Sequence, residues 1–209
     1  MADTFIDTPA ERAEDRNQLI AALILGAAAI LTAFSAYNAA LLDGEALQGY
    51  TESTRTLSDA NAFYAQGNQT SAIDQAIFVE YASAQQSGNA ELAEYLKTLM
   101  RPELLEAVDW WEATDEAVTP FDELEGNPYT LSDFEEAQTL EEEAGTQFDE
   151  GSAADEKGDK FELASVAFAL TLFFAGIATL FGRRAITLAL LAVGAFTLLA
   201  GAAVLATAF

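Results

Sequence analysis

Three stretches of this chain are almost unbroken apolar runs, and the segment between the first and second is polar and strongly acidic. The runs cover Leu19 to Leu42, Phe161 to Phe181 and Ala185 to Phe209. A helix rising about 1.5 Å per residue needs roughly 20 residues to cross a hydrocarbon core about 30 Å thick, so each run is long enough to span. No charged residue falls between Leu19 and Leu42, and the other two runs hold none except Glu162 at the opening of the second. A charge at the middle of a membrane helix costs at least about 2.5 kcal/mol, so lipid selects for its absence. The pattern predicts transmembrane helices over 18–42, 161–182 and 185–209, a tail over 1–17 and a turn at 183–184. The first run is longer than the apolar core of a secretory signal, and mixed charge rather than basic charge precedes it, so it reads as an uncleaved anchor.

The segment 43–160 is helical in character. Leu47, Tyr50, Thr54, Leu57, Asn61 and Tyr64 recur in alternating steps of three and four, a heptad seam that should face a partner helix. The partner is expected between Leu131 and Phe161, with Phe134, Ala137, Leu140, Ala144 and Phe148 on one face. Together they would make an antiparallel hairpin, a stalk, with weak points at Gly44 and Gly151 to Gly158. Shorter helices fill the tip: Ser71 to Gln86, Asn89 to Met100 with Asn89 as N-cap, and Pro102 to Thr114 with proline in its first turn. This predicts an all-α integral membrane protein with three transmembrane helices, a helical stalk and a small helical cap. Trp110, Trp111, Phe121 and Tyr129 gather near the cap, where core packing is the simpler reading and a recognition patch the other.

Charge sets the orientation. Gly182-Arg183-Arg184-Ala185 is a short basic turn, and such turns stay cytoplasmic. Arg12 and Arg16 before the first helix agree. The N-terminus is then cytoplasmic and residues 43–160 are extracellular, in a plasma-membrane, multi-pass arrangement. The chain carries 34 Asp and Glu against 9 Lys and Arg, a net charge of −25. Between Asp43 and Lys160 the only basic residues are Arg55, Lys97, Arg101, Lys157 and Lys160. Such acidity could hold cations at a pore mouth, could meet a basic partner, or could keep the surface hydrated in strong brine. The last reading points to a salt-loving microbe. The overall acidity disfavours nucleic-acid binding, which needs a basic face.

Chemistry-bearing residues are sparse. There is no Cys and no His, hence no disulfide, thiolate ligand or imidazole base. No phosphate loop or metal-ligand spacing appears, so no cofactor and no metal site are expected. Glu141-Glu142-Glu143 does not converge on one ion, because consecutive helical residues point about 100° apart. Thr32, Ser35 and Asn38 form a polar stripe on the first helix. It could hydrogen-bond between helices, or line a passage leading to an outer cation vestibule at Asp43 and Glu45. Gly194, Thr197 and Gly201 on the third helix, and Ala175, Gly176 and Thr179 on the second, are small residues suited to close helix packing within a chain or between copies. Asn68-Gln69-Thr70 matches a glycosylation acceptor at an expected turn.

The stretch Phe161 to Leu170, Phe174 to Ala178, the Gly182-Arg183-Arg184 turn and the glycine-studded last helix resemble the C-terminal hairpin of bacterial and archaeal three-helix membrane proteins that share a domain of unknown function. The segment Ser35 to Ala39, followed by a long helical insert, is similar to the same group. The resemblance implies topology and carries over no site residues.

Two functions follow as expectations. The first is a non-enzymatic, self-associating membrane protein whose acidic domain mediates assembly or partner contact. The second is an oligomeric cation channel.

Overall fold

The computed structural model describes residues 9–114 and 118–209 and, for residues 9–15 and 17, the course of the backbone alone. Five helices make up the described chain, which contains no strand: α1 Pro9–Gln86, α2 Ala90–Lys97, α3 Pro102–Ala113, α4 Ser132–Ala178 and α5 Arg184–Ala206. Three of them, α1, α4 and α5, are long and apolar enough to cross a membrane. The tail expected over 1–17 lies in part outside the described residues, and from Pro9 onward the chain is helical. The turn after the second apolar run begins after Ala178, earlier than the 183–184 expected.

The chain divides into two compact units. The first comprises Met1–Thr51 and Gln147–Phe209, the second Glu52–Thr146.

In the first unit the apolar parts of α1, α4 and α5 pack in layers. One layer joins Ala21 of α1, Ala175 and Ala178 of α4 and Leu191 of α5; another joins Ala39, Phe161 and Ala208. The sequence order of these contacts makes α4 antiparallel to both neighbours. What is buried is mostly small: Ala21, Ala28, Ser35, Ala39, Ala164, Gly194 and Gly201. The bulk points outward, with Leu23, Ile30, Val166, Phe173, Phe196 and Leu199 all exposed. Hydrocarbon is as apolar as leucine, so no hydrophobic force draws large side chains inward, and close packing of small ones holds such helices together.

The same preference for small side chains fixes the register of α1 against α4. Ala39, Ala46, Ser53, Ala60, Gly67, Asp74 and Tyr81 are all buried and fall seven residues apart. On α4 the matching column is Ala137, Ala144, Gly151 and Gly158. A seven-residue repeat keeps one seam facing its partner, as in left-handed coiled-coil packing. In the first unit a Cβ on Gly49 would fall 2.8 Å from the Gly151 Cα and 3.0 Å from the Gln147 carbonyl oxygen. In the second, the Ser53 hydroxyl donates to the Ala144 carbonyl at 2.8 Å, and the Phe134 ring fills the space above Gly67.

The expected seam is therefore displaced by one residue. Leu47, Thr54, Leu57 and Asn61 are exposed, and the residue before each of Leu47, Thr54 and Asn61 is the buried one. The displacement has a physical cause: backbones this close admit only small side chains, whereas an apolar reading selects the larger neighbours. Tyr50 and Tyr64 flank the seam and stack on Phe148 and Phe134 at ring-centroid distances of 5.3 and 6.0 Å.

The glycines taken for weak points interrupt nothing. α1 is continuous through Gly44 and Gly67, α4 through Gly151 and Gly158, and the segment Ser71 to Gln86 is the end of α1 rather than a separate helix. α1 ends at Gln86, and Gly88 just beyond it has a φ of 75° that suits a left-handed cap. There the Asn89 N–H reaches back to the Ala84 carbonyl at 2.9 Å. Asn89 then caps α2 by accepting from the Leu92 N–H.

The second unit has one apolar core. Phe78, Tyr81 and Ala84 of α1 meet Ala93 of α2, Met100, and Leu104 and Val108 of α3. Phe78 stacks edge-on to Trp111 and Phe121, and Phe121 to Tyr129.

Two glycines of α1 should respond in opposite directions. Gly49→Val forces backbones apart and is expected to destabilise by about 1–3 kcal/mol. Gly44→Ala, whose Cβ would meet nothing within 4 Å, should stabilise by roughly 0.5–1 kcal/mol through helix propensity. Denaturant titration of helicity in detergent, read by circular dichroism, checks both signs.

Candidate functional site

Thr32 donates its hydroxyl to the Ala28 carbonyl at 2.7 Å, and Asn38 donates its amide to the Phe34 carbonyl at 2.8 Å, so both bond to their own helix one turn back. Ser35 is 0% exposed, and its hydroxyl has no partner among the described residues. It follows the buried Ala21 and Ala28 at seven-residue spacing, on the face of α1 turned into the chain's own bundle. Asp43 and Glu45, one turn further, are exposed. Asp43 flanks the α4 seam: a Cβ on Gly158 would meet its carboxylate at 3.0 Å.

The small residues of the other two spans fall into separate groups. Gly201 lies against the Phe168 ring, which a Cβ would meet at 2.7 Å, and Gly194 faces Ala175 at 3.5 Å. Between them the Thr171 and Thr197 hydroxyls meet at 2.9 Å. Gly176 has nothing within 4 Å of its Cβ position, so within the described chain it packs against no other helix. Asn68, expected at a turn, is instead an exposed residue inside α1. Among the described residues no group of three or more acidic side chains is placed to hold a metal ion.

The second unit contains two polar networks that an inventory of charges does not reveal. In one, the buried Asp74 accepts from Arg101 Nε at 2.7 Å and from the Tyr129 hydroxyl at 3.0 Å. Arg101 also reaches the Thr130 carbonyl at 2.8 Å and Glu103 at 2.9 Å, and stacks 5.2 Å over the Tyr129 ring. This one side chain thus ties α1 to the start of α3 and to the segment before α4. A carboxylate in a buried column must be paired, and Asp74 occupies the same column as Ala60 and Gly67. That register was the available signal.

In the other network Lys97 bridges Asp109 and Glu112, each at 3.0 Å, while the Tyr81 hydroxyl donates to Glu112 and accepts from Gln85 at 2.6 Å. Both tyrosines titrate above their ordinary value of 10.0. Burial raises each, and the bond to Glu112 for Tyr81 and to Asp74 for Tyr129 raises it further. Burial pulls Lys97 down, but its two carboxylate partners outweigh that and hold the ammonium protonated beyond its ordinary 10.5.

These networks generate two expectations. Asp74→Asn removes the buried partner of a guanidinium that is itself about a quarter exposed, and should destabilise by about 1–3 kcal/mol, below the full cost of orphaning a buried ion. Thermal melting of the variant checks it. All three raised groups act in one direction with pH. Their protonated forms are favoured by the folded state, so their contribution is fully present below about pH 10 and is lost as pH climbs through the raised values. Tyrosinate absorbance followed alongside helicity should show a late-titrating class whose ionisation accompanies unfolding, and Tyr129→Phe should reduce that class.

Compared with models of known protein families, with curated proteins and with solved structures, the chain matches none.

Proposed function

We propose that this chain is a non-enzymatic, self-associating multi-pass membrane protein whose acidic helical domain stands outside the bilayer as a stalk and cap through which copies meet. The observation that carries the reading is on α2. Its inner face buries Ala93 and packs Leu96, yet Leu92 and Tyr95 are exposed on the other side, and Leu99 is exposed in the turn that follows the helix. A short helix that is apolar on two faces outside any membrane-spanning run marks a contact surface. Glu91 and Glu94 border it, and Lys97 is bound inward to Asp109 and Glu112. Two such faces repel at low ionic strength. They can meet when salt shortens the Debye length to about 3 Å near 1 M, which fits an acidic surface adapted to brine.

Orientation belongs to the same proposal. Ala21 shares a layer with Ala178 and Leu191, so Arg16 and the Arg183-Arg184 turn fall at one end of the three-span bundle. The rule that favours basic residues inside puts that end in the cytoplasm.

The cation-channel reading, with Thr32, Ser35 and Asn38 along a pore and Asp43 and Glu45 at its mouth, is the weaker one. Thr32 and Asn38 bond to their own backbone, and Ser35 is enclosed by the chain's own helices.

Subunit mass in lipid nanodiscs at low and at molar salt tests the proposal. The expected result is an oligomer at molar salt that dissociates on dilution, and that Tyr95→Asp with Leu99→Asp prevents. A monomer at both salts defeats it. A ring that conducts cations, with current abolished by Asn38→Leu, would favour the channel instead.

A further inference from the structure

The turn between α4 and α5 differs chemically from the rest of this acidic chain. It runs through Leu180, Phe181, Gly182 and Arg183, and α5 opens on Arg184. All five residues are exposed, Leu180 at 80%. Neither guanidinium has an ion-pair or hydrogen-bond partner among the described residues. In this they differ from Lys97 and Arg101, which are held by carboxylates of their own unit.

The turn joins the ends of two helices that are apolar enough to span, which brings it to the level of the lipid headgroups. Along it, two exposed apolar side chains are followed by two guanidinium groups. A guanidinium fork matches two phosphate oxygens and forms charge-assisted hydrogen bonds, which strengthen where water is scarce. The first turn of α5 has no side-chain cap, so the Arg184 and Ala185 N–H groups add donors beside the arginine side chains.

We infer that Arg183 and Arg184, anchored by Leu180 and Phe181, bind the headgroup phosphate of an anionic phospholipid. The net charge of −25 repels anionic lipid at long range, so the attraction must be local, at contact with this turn. The inference needs only the spans. It holds for a monomer as well as for an oligomer, and it is independent of the α2 contact surface.

The test uses the full chain in nanodiscs made from equal parts phosphatidylglycerol and phosphatidylcholine, with retained lipid counted by native mass spectrometry during delipidation. A basic residue near a membrane surface favours anionic lipid by roughly fivefold. The wild type should therefore retain phosphatidylglycerol over phosphatidylcholine by about tenfold or more, and R183Q/R184Q should lose that preference while keeping its helicity and melting temperature. R16Q, at the same end of the bundle, should leave the preference largely in place. Millimolar inorganic phosphate should not displace the lipid. The inference is overturned by equal retention of the two lipids on the wild type, by an unchanged preference in R183Q/R184Q, by its loss in R16Q alone, or by displacement with phosphate, which would make the turn a free-anion site. If R183Q/R184Q does not fold, the single variants R183Q and R184Q, each expected to weaken the preference severalfold, decide the same question.

Discussion

The close approach of α1 to α4 is the constraint on which the remaining packing rests. Where the Gly49 Cβ position falls 2.8 Å from the Gly151 Cα, no side chain fits between the backbones, and the fully buried positions of α1 on the same side are small or specially accommodated. Alanine, serine and glycine meet that demand on α1 from Ala39 to Gly67. Asp74 then breaks the pattern with a charge and requires Arg101 to answer it. Tyr81 closes the column by filling the core of the second unit with its ring and sending its hydroxyl to Glu112. Within that unit the polar networks thus answer to the register of its own stretch of α1.

The coarse fold was legible because a hydrocarbon environment writes itself over long stretches of sequence. Some 20 residues without a charge are hard to misread, and the three helices long and apolar enough to span follow from that alone. Caps were legible for a similar reason of specificity: Asn89 accepts from the Leu92 N–H, and Pro102 occupies the first turn of α3. The helix seam was not legible in the same way. The seam read from the sequence takes Leu47, Thr54 and Asn61, whereas the contact takes Ala46, Ser53 and Ala60, each one residue earlier. Glycine misled for a related reason. In isolation Gly151 and Gly158 weaken a helix, but against a second backbone they are what allows the helices to touch.

The candidate residues of the spans show how little a list of polar side chains fixes by itself. Thr32, Ser35 and Asn38 lie on one broad face, yet two of them are occupied with their own carbonyls and the third is enclosed. The Thr171 and Thr197 pair, two of several threonines in apolar runs, is where hydroxyls from different spans meet. What separates these cases is helical rotation relative to a neighbour, which needs the partner's position as well as the residue's own.

The placement of the few basic residues in the acidic unit also bears on how that unit meets a protease. An enzyme that cuts after lysine or arginine finds only Arg55, Lys97 and Arg101 between Glu52 and Thr146. Arg55 is in the middle of a helix, Lys97 is bound to two carboxylates, and Arg101 is followed by Pro102, whose ring blocks cleavage of the bond before it. The scarcity of cations that gives this surface its charge therefore also leaves the folded domain with almost no substrate bond to offer a trypsin-like enzyme.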